Sequence, residues 1–256
     1  MLLRARIRRV PHPLVVVAAT VLGAGWGALL PGLVDRYAVR WPAGSPRPPW
    51  RDTCPGCAAP RPHWWRASGR CPECGRRPVP DRWLTVPMTA LACGAVGAAV
   101  GPVWTLPAYL WLAALAVPLT LIDLRVLRLP DPLVLALLAG GVVLLGGAAI
   151  TGQYVTPLLR SGAALLACGV GYLTLAVIPR SQFGLGDVKL GAVLGFFLGW
   201  LGWPAVAAGA LLGPLVNLPL LIVLLITRRA GRRTAIPYGP AMLVAALTVV
   251  VVSTAR

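Results

Sequence analysis

The sequence predicts an all-α polytopic membrane protein with about eight transmembrane helices and one small polar loop domain. Of its 256 residues, 57% are hydrophobic and only 12% are charged, against roughly 25% charged residues in an ordinary soluble domain. The mean hydropathy is +0.76. The apolar residues also occur in long uninterrupted runs, and the polar residues concentrate in one stretch. These observations exclude a soluble globular enzyme.

Eight apolar runs have about the length that crosses a bilayer, roughly 17 to 25 residues. They lie near 13–34, 84–101, 105–122, 133–151, 157–178, 188–203, 204–227 and 238–255. We therefore divide the chain into three parts. These are an N-terminal segment with the first transmembrane helix (1–34), a polar loop (35–83) and a transmembrane core (84–256).

Four arginines precede the first apolar run, as in the basic region of a signal peptide: Arg4, Arg6, Arg8 and Arg9. However, the run is longer than the roughly 7 to 15 apolar residues of a signal peptide. The chain also crosses the membrane repeatedly after it. We therefore expect a transmembrane helix here.

The net charge of +17 comes almost entirely from arginine. The arginines cluster at the ends of apolar runs, where they anchor membrane proteins against anionic lipid, so we expect a bilayer and no nucleic acid as the partner. If 35–83 is cytoplasmic, 18 of the 24 Lys and Arg residues lie inside. The positive-inside rule thus predicts an inner-membrane protein with this loop on the cytoplasmic side.

Residues 82–256 contain only three acidic side chains, Asp123, Asp131 and Asp187. A carboxylate near hydrocarbon is costly unless it is neutralised, paired or hydrated, so each of the three needs a structural or chemical reason. The predicted orientation places all three at or just past cytoplasmic helix ends. Two adjacent carboxylates would share a proton and could activate water. The residues alone leave helix capping open, as well as ion pairs with Arg125, Arg128 or Lys189.

The polar loop contains two Cys-x2-Cys pairs with thirteen residues between them, Cys54 and Cys57, then Cys71 and Cys74. Two such turns facing each other form a tetrahedral four-sulfur site for zinc. Four protein ligands leave no open coordination position, so we predict a structural zinc. Two disulfides or a redox pair are the alternatives, which a cytoplasmic location disfavours.

The remaining chemically distinctive side chains have simpler interpretations. We interpret Cys93 and Cys168, inside apolar runs, as small packing residues, and His63 as a solvated surface residue. Four tryptophans flank the cysteine pairs, and we interpret them as interfacial anchors rather than a peptide-binding surface: Trp50, Trp64, Trp65 and Trp83.

The motif order resembles that of the type IV prepilin peptidases, which are membrane aspartyl proteases of the GxGD type. The paired Cys-x2-Cys loop is followed by Asp123, seven residues before Pro130-Asp131. Next come Gly-Leu-Gly-Asp-Val-Lys-Leu at 184–190 and Ile-Pro-Tyr-Gly-Pro at 236–240.

The resemblance implies that Asp123 and Asp187 are the catalytic pair and that Asp131 matches a non-catalytic position. It also implies that the enzyme removes the basic leader of prepilins or pseudopilins at the cytoplasmic membrane face. Many members then methylate the new N-terminus with S-adenosylmethionine.

Two segments depart from the family pattern. Residues 33–42 read LVDRYAVRWP where members have a Gly-Ser-Phe-Leu-Asn-Val-like stretch, and residues 82–88 read RWLTVPM without the glutamate associated with methyl transfer. The resemblance therefore predicts cleavage and leaves methylation open.

Two other classes of function are alternatives to a peptidase. A non-catalytic assembly protein would recruit a cytoplasmic partner through its zinc loop and use Asp123 and Asp187 only as caps. A transporter would place its acids near the bilayer midplane and often repeat half of its fold. The sequence has neither feature of a transporter.

Overall fold

The computed structural model describes residues 12–39, 50–60, 70–152, 154–178, 184–226 and 237–255. Within 218–226 it describes the backbone only. These ranges form a helical bundle without β-strands, which confirms the predicted fold class. Eight helices occur there: α1 (Pro13–Tyr37), α2 (Arg82–Val100), α3 (Leu106–Val126), α4 (Asp131–Gly152), α5 (Val155–Val177), α6 (Leu185–Leu201), α7 (Trp203–Ile226) and α8 (Gly239–Thr254).

Helices α1 to α5 are each long and apolar enough to cross a membrane, with mean hydropathies from 1.5 to 2.5. Each of the eight predicted apolar runs corresponds to one helix. In a bilayer all backbone polar groups must be satisfied within the protein, which is why these runs fold as helices.

Helix α6 packs against α5 through glycines at every fourth position, Gly191, Gly195 and Gly199. A Cβ atom added at Gly195 would lie 2.7 Å from the backbone oxygen of Ala164, and one at Gly199 would lie 2.8 Å from Cα of Ser161. Small residues at this spacing let two helix backbones approach closely within a membrane. The close contact fixes α6, and therefore Asp187, relative to the bundle.

Helix α3 lies at the centre of the bundle and contacts α1, α2, α4 and α8. It contains Pro118, which has no N–H and leaves the carbonyl of Ala114 without its helical donor. The indole Nε1 of Trp26 in α1 donates to that carbonyl at 3.0 Å. The break in α3 is therefore satisfied by its neighbour, and the helix continues toward Asp123.

Several helix ends differ from the predicted runs by two or more residues, and two of these differences concern the aspartates. Helix α3 continues past 122 to Val126, because Leu127 adopts the left-handed conformation and its N–H caps the carbonyl of Asp123 at 2.8 Å. Helix α6 begins at Leu185, three residues before the predicted run. Asp123 and Asp187 consequently lie in terminal helical turns.

Several residues used in the sequence interpretation lie outside the described residues: Arg4, Arg6, Arg8, Arg9, His63, Trp64, Trp65, Arg180, Phe183, Arg228, Arg229, Arg232, Arg233, Ile236 and Arg256. The charge count behind the predicted orientation includes many of them. The cytoplasmic location of the loop therefore stays a prediction.

Candidate active site and cysteine cluster

Asp123 is buried in the last turn of α3, with only 4% of its surface exposed. The backbone N–H of Gly239, the first residue of α8, donates to its Oδ2 atom at 3.1 Å. A buried carboxylate needs such a donor, since burial without a partner is unfavourable. The start of α8 therefore forms one wall of the site.

Asp187 is the third residue of α6 and is partly exposed. Its Oδ2 accepts a hydrogen bond from the N–H of Gly184, the N-cap residue, at 3.0 Å. This is the arrangement in which an acidic side chain caps its own helix. Asp187 therefore caps α6, as one of the alternative interpretations predicted. Whether Asp187 also acts together with Asp123 depends on how close the two side chains lie.

Leu129, in the loop between α3 and α4, is buried and packs against a glycine beside each of the two aspartates. A Cβ atom added at Gly186, beside Asp187, would lie 3.4 Å from Cβ of Leu129. One added at Gly239, beside Asp123, would lie 3.3 Å from Cδ2 of the same leucine. The two carboxylates are close enough for their negative charges to repel each other. The fold therefore brings Asp123 and Asp187 together at one end of the bundle.

Asp131 occupies a different position. It begins α4, is exposed, and accepts a 2.7 Å hydrogen bond from Nζ of Lys189. Lys189 thus pairs with Asp131, and this ion pair links the start of α4 to the first turns of α6. An exposed pair of this kind contributes about 1 kcal/mol or less.

The geometry suits acid–base chemistry on a bound carbonyl. Two close carboxylates cannot both ionise cheaply, so such a pair can share one proton. The ionised member can accept a proton from water, while the protonated member can donate to a carbonyl oxygen and then to a leaving amine. The partial exposure of Asp187 gives water a route to the pair.

The four loop cysteines converge. Their Sγ atoms all lie within 4.8 Å of one another, with Cys54 to Cys74 and Cys57 to Cys71 both at 3.7 Å. A tetrahedron of sulfurs about 2.3 Å from zinc has edges of about 3.8 Å. A disulfide would need about 2.05 Å. The spacing therefore fits a bound zinc ion.

The two cysteine turns have nearly the same backbone pattern. Ala58 N donates to the carbonyl of Cys54, and Gly75 N donates to that of Cys71, both at 2.9 Å. Both donors have positive φ, 58° at Ala58 and 67° at Gly75. The Gly56 N–H is also hydrogen-bonded to Cys54 Sγ. Within the cluster the pKa of Cys57 is raised to about 12, whereas the hydrogen bond from Gly56, together with the Cys57 N–H and the neighbouring thiols, lowers the pKa of Cys54 to about 6. That shift favours the thiolate form that binds metals.

Comparison with known proteins adds family information to this geometry. A family model described as "Type IV leader peptidase family" matches residues 110–226. The prepilin leader peptidase/N-methyltransferase of Aeromonas hydrophila is 34% identical over 214 residues, covering 76% of this chain and 69% of the relative. This chain belongs to the type IV leader peptidase family.

Further relatives carry the same name. The Aeromonas salmonicida protein is 35% identical over 76% of this chain. The Pectobacterium carotovorum protein is 28% identical over 80% of this chain and 72% of its own length. No solved structure matches the chain. The predicted family membership is confirmed, and with it the prediction of a peptidase.

The region that matches the type IV leader peptidase model contains Asp123 and Asp187 and ends before α8. Sequence reasoning missed the roles of Leu129 and Gly239 in the site. Gly239 lies in the Ile-Pro-Tyr-Gly-Pro motif, which indicated only the start of a helix. Leu129 had no signal, because a leucine before a proline is unremarkable in an apolar chain.

The cysteine loop of this family member is tied to the bundle at both ends. Arg36 of α1 pairs with Asp52 and lies 6.0 Å from the ring centre of Trp50. At the other end, Arg125, in the last turn of α3, donates to the carbonyl of Val79. The loop is therefore attached to the same end of the bundle as the aspartates.

The tryptophans of this loop can be compared with their predicted role as anchors. Trp83, in the first turn of α2, is 86% exposed, as suits a residue facing lipid headgroups. Trp50 instead contacts Tyr37 edge to face at 6.4 Å. It attaches the loop to α1 as well as presenting a partly exposed ring.

Proposed function

We propose that this protein is a membrane-embedded aspartyl endopeptidase that removes the basic leader peptide from type IV prepilins or pseudopilins at the cytoplasmic membrane face. Asp123 and Asp187 act as its catalytic pair. The observation that carries the proposal is that the two aspartates lie close enough for their charges to interact, with Leu129 packed against the glycines beside both. Both aspartates also lie within the family match.

In this mechanism one aspartate is ionised and draws a proton from the attacking water. The other is protonated, hydrogen-bonds the scissile carbonyl and later helps to protonate the leaving amine. Backbone donors hold both carboxylates, Gly239 for Asp123 and Gly184 for Asp187. Fixed carboxylates of this kind need little rearrangement before the reaction.

The position of the pair suits a substrate with a polar leader followed by a hydrophobic segment. The pair lies in terminal helical turns, at the end of the bundle that carries the polar loop. The hydrophobic segment would remain in the bilayer while the scissile bond lies at its boundary. The high positive charge of the chain would repel a basic leader, so the exposed acidic groups near the site and the anionic lipid must offset it.

We propose that Cys54, Cys57, Cys71 and Cys74 bind one structural zinc. On this basis 35–83 is a cytoplasmic metal-stabilised loop domain, and 84–256 is the peptidase core. Zinc would supply a covalent framework to a segment with few apolar side chains. No catalytic step passes through it.

Methyl transfer is a separate question. The relatives are named as both peptidase and N-methyltransferase, whereas residues 82–88 lack the glutamate expected there. We propose leader cleavage alone as the activity of this chain. Mass spectrometry of the mature substrate N-terminus decides the matter, because a mass increase of one methyl group would contradict the proposal.

The decisive experiment replaces each aspartate by asparagine in purified protein. Asp123→Asn and Asp187→Asn should each reduce cleavage of a prepilin by roughly 10³-fold or more, because each removes one acid–base partner. Asp131→Asn is the matched control, an identical chemical change outside the pair, and should stay active.

Helical content and metal binding should be unchanged in all three variants. Full cleavage by Asp123→Asn or Asp187→Asn would favour the alternative of a non-catalytic assembly protein that recruits a cytoplasmic partner through its zinc loop.

A further inference from the structure

The first residue of α8 touches the buried aspartate directly. We propose that Gly239 is a positioning residue for leader cleavage: its N–H holds the Asp123 carboxylate, and its missing side chain makes room for it. This inference rests on the proposed function. It adds α8, which lies beyond the family match, to the parts that build the site.

Space, rather than backbone conformation, requires glycine at this position. Gly239 does not have a positive φ, so an alanine could adopt the same backbone conformation. A Cβ atom at Gly239 would nevertheless lie 2.7 Å from Oδ2 and 3.2 Å from Cγ of Asp123. It would also lie 3.3 Å from Cδ2 of Leu129. Since Asp123 and Leu129 are both buried, neither can move into solvent to relieve the overlap.

The first turn of α8 is itself held in place. Pro240 fixes the backbone at the helix start, and the N–H of Met242 donates to the carbonyl of Tyr238 at 3.0 Å. Asn217 of α7 donates to the carbonyl of Pro237 at 3.4 Å. The N–H of Gly239 is one of the donors that a helix start leaves free, so a fixed donor points at Asp123.

The other aspartate provides a contrast. Gly184 also donates its N–H to a carboxylate, that of Asp187, but a Cβ atom there would lie at an ordinary 3.6 Å from Oδ2. The two glycines make the same hydrogen bond and differ in the space beside it. Alanine should therefore be far more harmful at Gly239 than at Gly184.

The test measures kcat and KM for prepilin cleavage by the purified full-length protein. Gly239→Ala should lower kcat by about 100-fold, the order expected when a catalytic group is displaced by about 1 Å. KM should stay within about twofold, because the substrate contacts are unchanged. Gly184→Ala should lose less than about tenfold.

Gly213→Ala is the control for packing against α8. A Cβ atom at Gly213 would lie 3.6 Å from Met242, in normal contact, so this variant should retain wild-type kcat. An increase in KM with unchanged kcat for Gly239→Ala would overturn the inference. So would a loss of activity in Gly213→Ala equal to that in Gly239→Ala.

A second variant covers the case in which Gly239→Ala does not fold, as judged by thermal unfolding. Replacing residue 239 by glycolic acid exchanges its N–H for an ester oxygen and adds no side chain, and kcat should fall about tenfold. The ester also weakens the Tyr238 carbonyl as acceptor of the Met242 N–H, so thermal unfolding of this variant is measured as well. Wild-type kcat in this ester variant would overturn the role of the N–H.

The wild type and Asp123→Asn, measured alongside, separate the two claims. An inactive wild type contradicts the proposed function itself. An active wild type with an inactive Asp123→Asn and a fully active Gly239→Ala contradicts only the positioning role.

Discussion

The cysteine cluster and the aspartate pair lie at the same end of the bundle but are assembled in different ways. Cys54 and Cys74, the outermost cysteines of the cluster, are 20 residues apart, and each turn supplies two thiols. Asp123 and Gly239 are 116 residues apart. Their contact depends on how α3 and α8 pack.

The difference shows where the free energy of each region comes from. The described residues of the loop include few buried apolar side chains, so the proposed zinc would supply most of the folding energy of this region. The aspartate pair is held by helix packing, since Leu129 and the glycines of α6 all lie at helix contacts. The first region should respond to metal removal and the second to changes in packing.

Removing the metal should have the largest effect. Structural zinc sites contribute about 10–16 kcal/mol of apparent binding free energy. Cys54→Ser combined with Cys57→Ser, or treatment with a chelator, should therefore unfold the two cysteine turns, within 50–60 and 70–81. Limited proteolysis should then cut within this loop, and metal analysis should fall from about one zinc per chain to none.

The helical bundle should survive that treatment, with far-UV circular dichroism nearly unchanged. Cys93→Ser is the matched control, because this buried cysteine in α2 lies outside the cluster and should leave zinc content intact. Collapse of the helices together with zinc loss would mean that the two regions do not fold independently.

Leu129→Ala should affect the aspartate pair and leave the cluster unchanged. It removes the side chain between Gly186 and Gly239, so we expect kcat to fall by about 10- to 100-fold while zinc content stays constant. The unfolding free energy should decrease by about 2–5 kcal/mol, as for other buried leucines.

Leu145→Ala is the control for that packing loss. Leu145 is fully buried in α4, well beyond the first turns of the helix, and its replacement should cost similar stability without a comparable loss of kcat. Equal losses of activity in the two variants would show that general destabilisation, rather than the spacing of the aspartates, explains the result.

The two cysteine turns allow the smallest and sharpest comparison. Ala58 and Gly75 occupy equivalent positions with positive φ, where a residue with a side chain costs about 1 kcal/mol. Ala58→Gly should tighten zinc binding about fivefold and Gly75→Ala should weaken it about fivefold. Competition with a chromogenic chelator measures both. Shifts of the same sign would contradict the equivalence of the turns.

Much of this organisation was predictable from local sequence. The eight apolar runs predicted eight helices, and the Cys-x2-Cys spacing predicted the sulfur cluster, because both depend on residues close together in the chain. The motif resemblance singled out Asp123 and Asp187. Nothing local predicted that Leu129 would pack beside both of them, since that depends on three elements meeting.

Helix ends were predicted less well for a related reason. The run ending at 122 was defined by hydrophobicity, yet α3 continues through Arg125 to Val126. Helical hydrogen bonding does not stop where apolar residues do, and the polar end of α3 gains contacts with the loop at Val79. Pro118, inside α3, leaves the carbonyl of Ala114 without its helical donor, and Trp26 supplies a donor from another helix.

The length of α6 has a consequence for the surrounding lipid. With 17 residues it is about 26 Å long, several ångströms shorter than the hydrocarbon core of a typical bilayer, about 30 Å. Polar groups mark both ends, Asp187 in the first turn and Arg160, whose guanidinium donates to the carbonyls of Gly199 and Trp200. A short helix of this kind is accommodated by local thinning of the bilayer or by flanking polar groups that reach its surface. The rate of cleavage should then depend on the acyl-chain length of the lipid, because the thickness of the bilayer sets how far Asp187 lies from the water at the membrane surface.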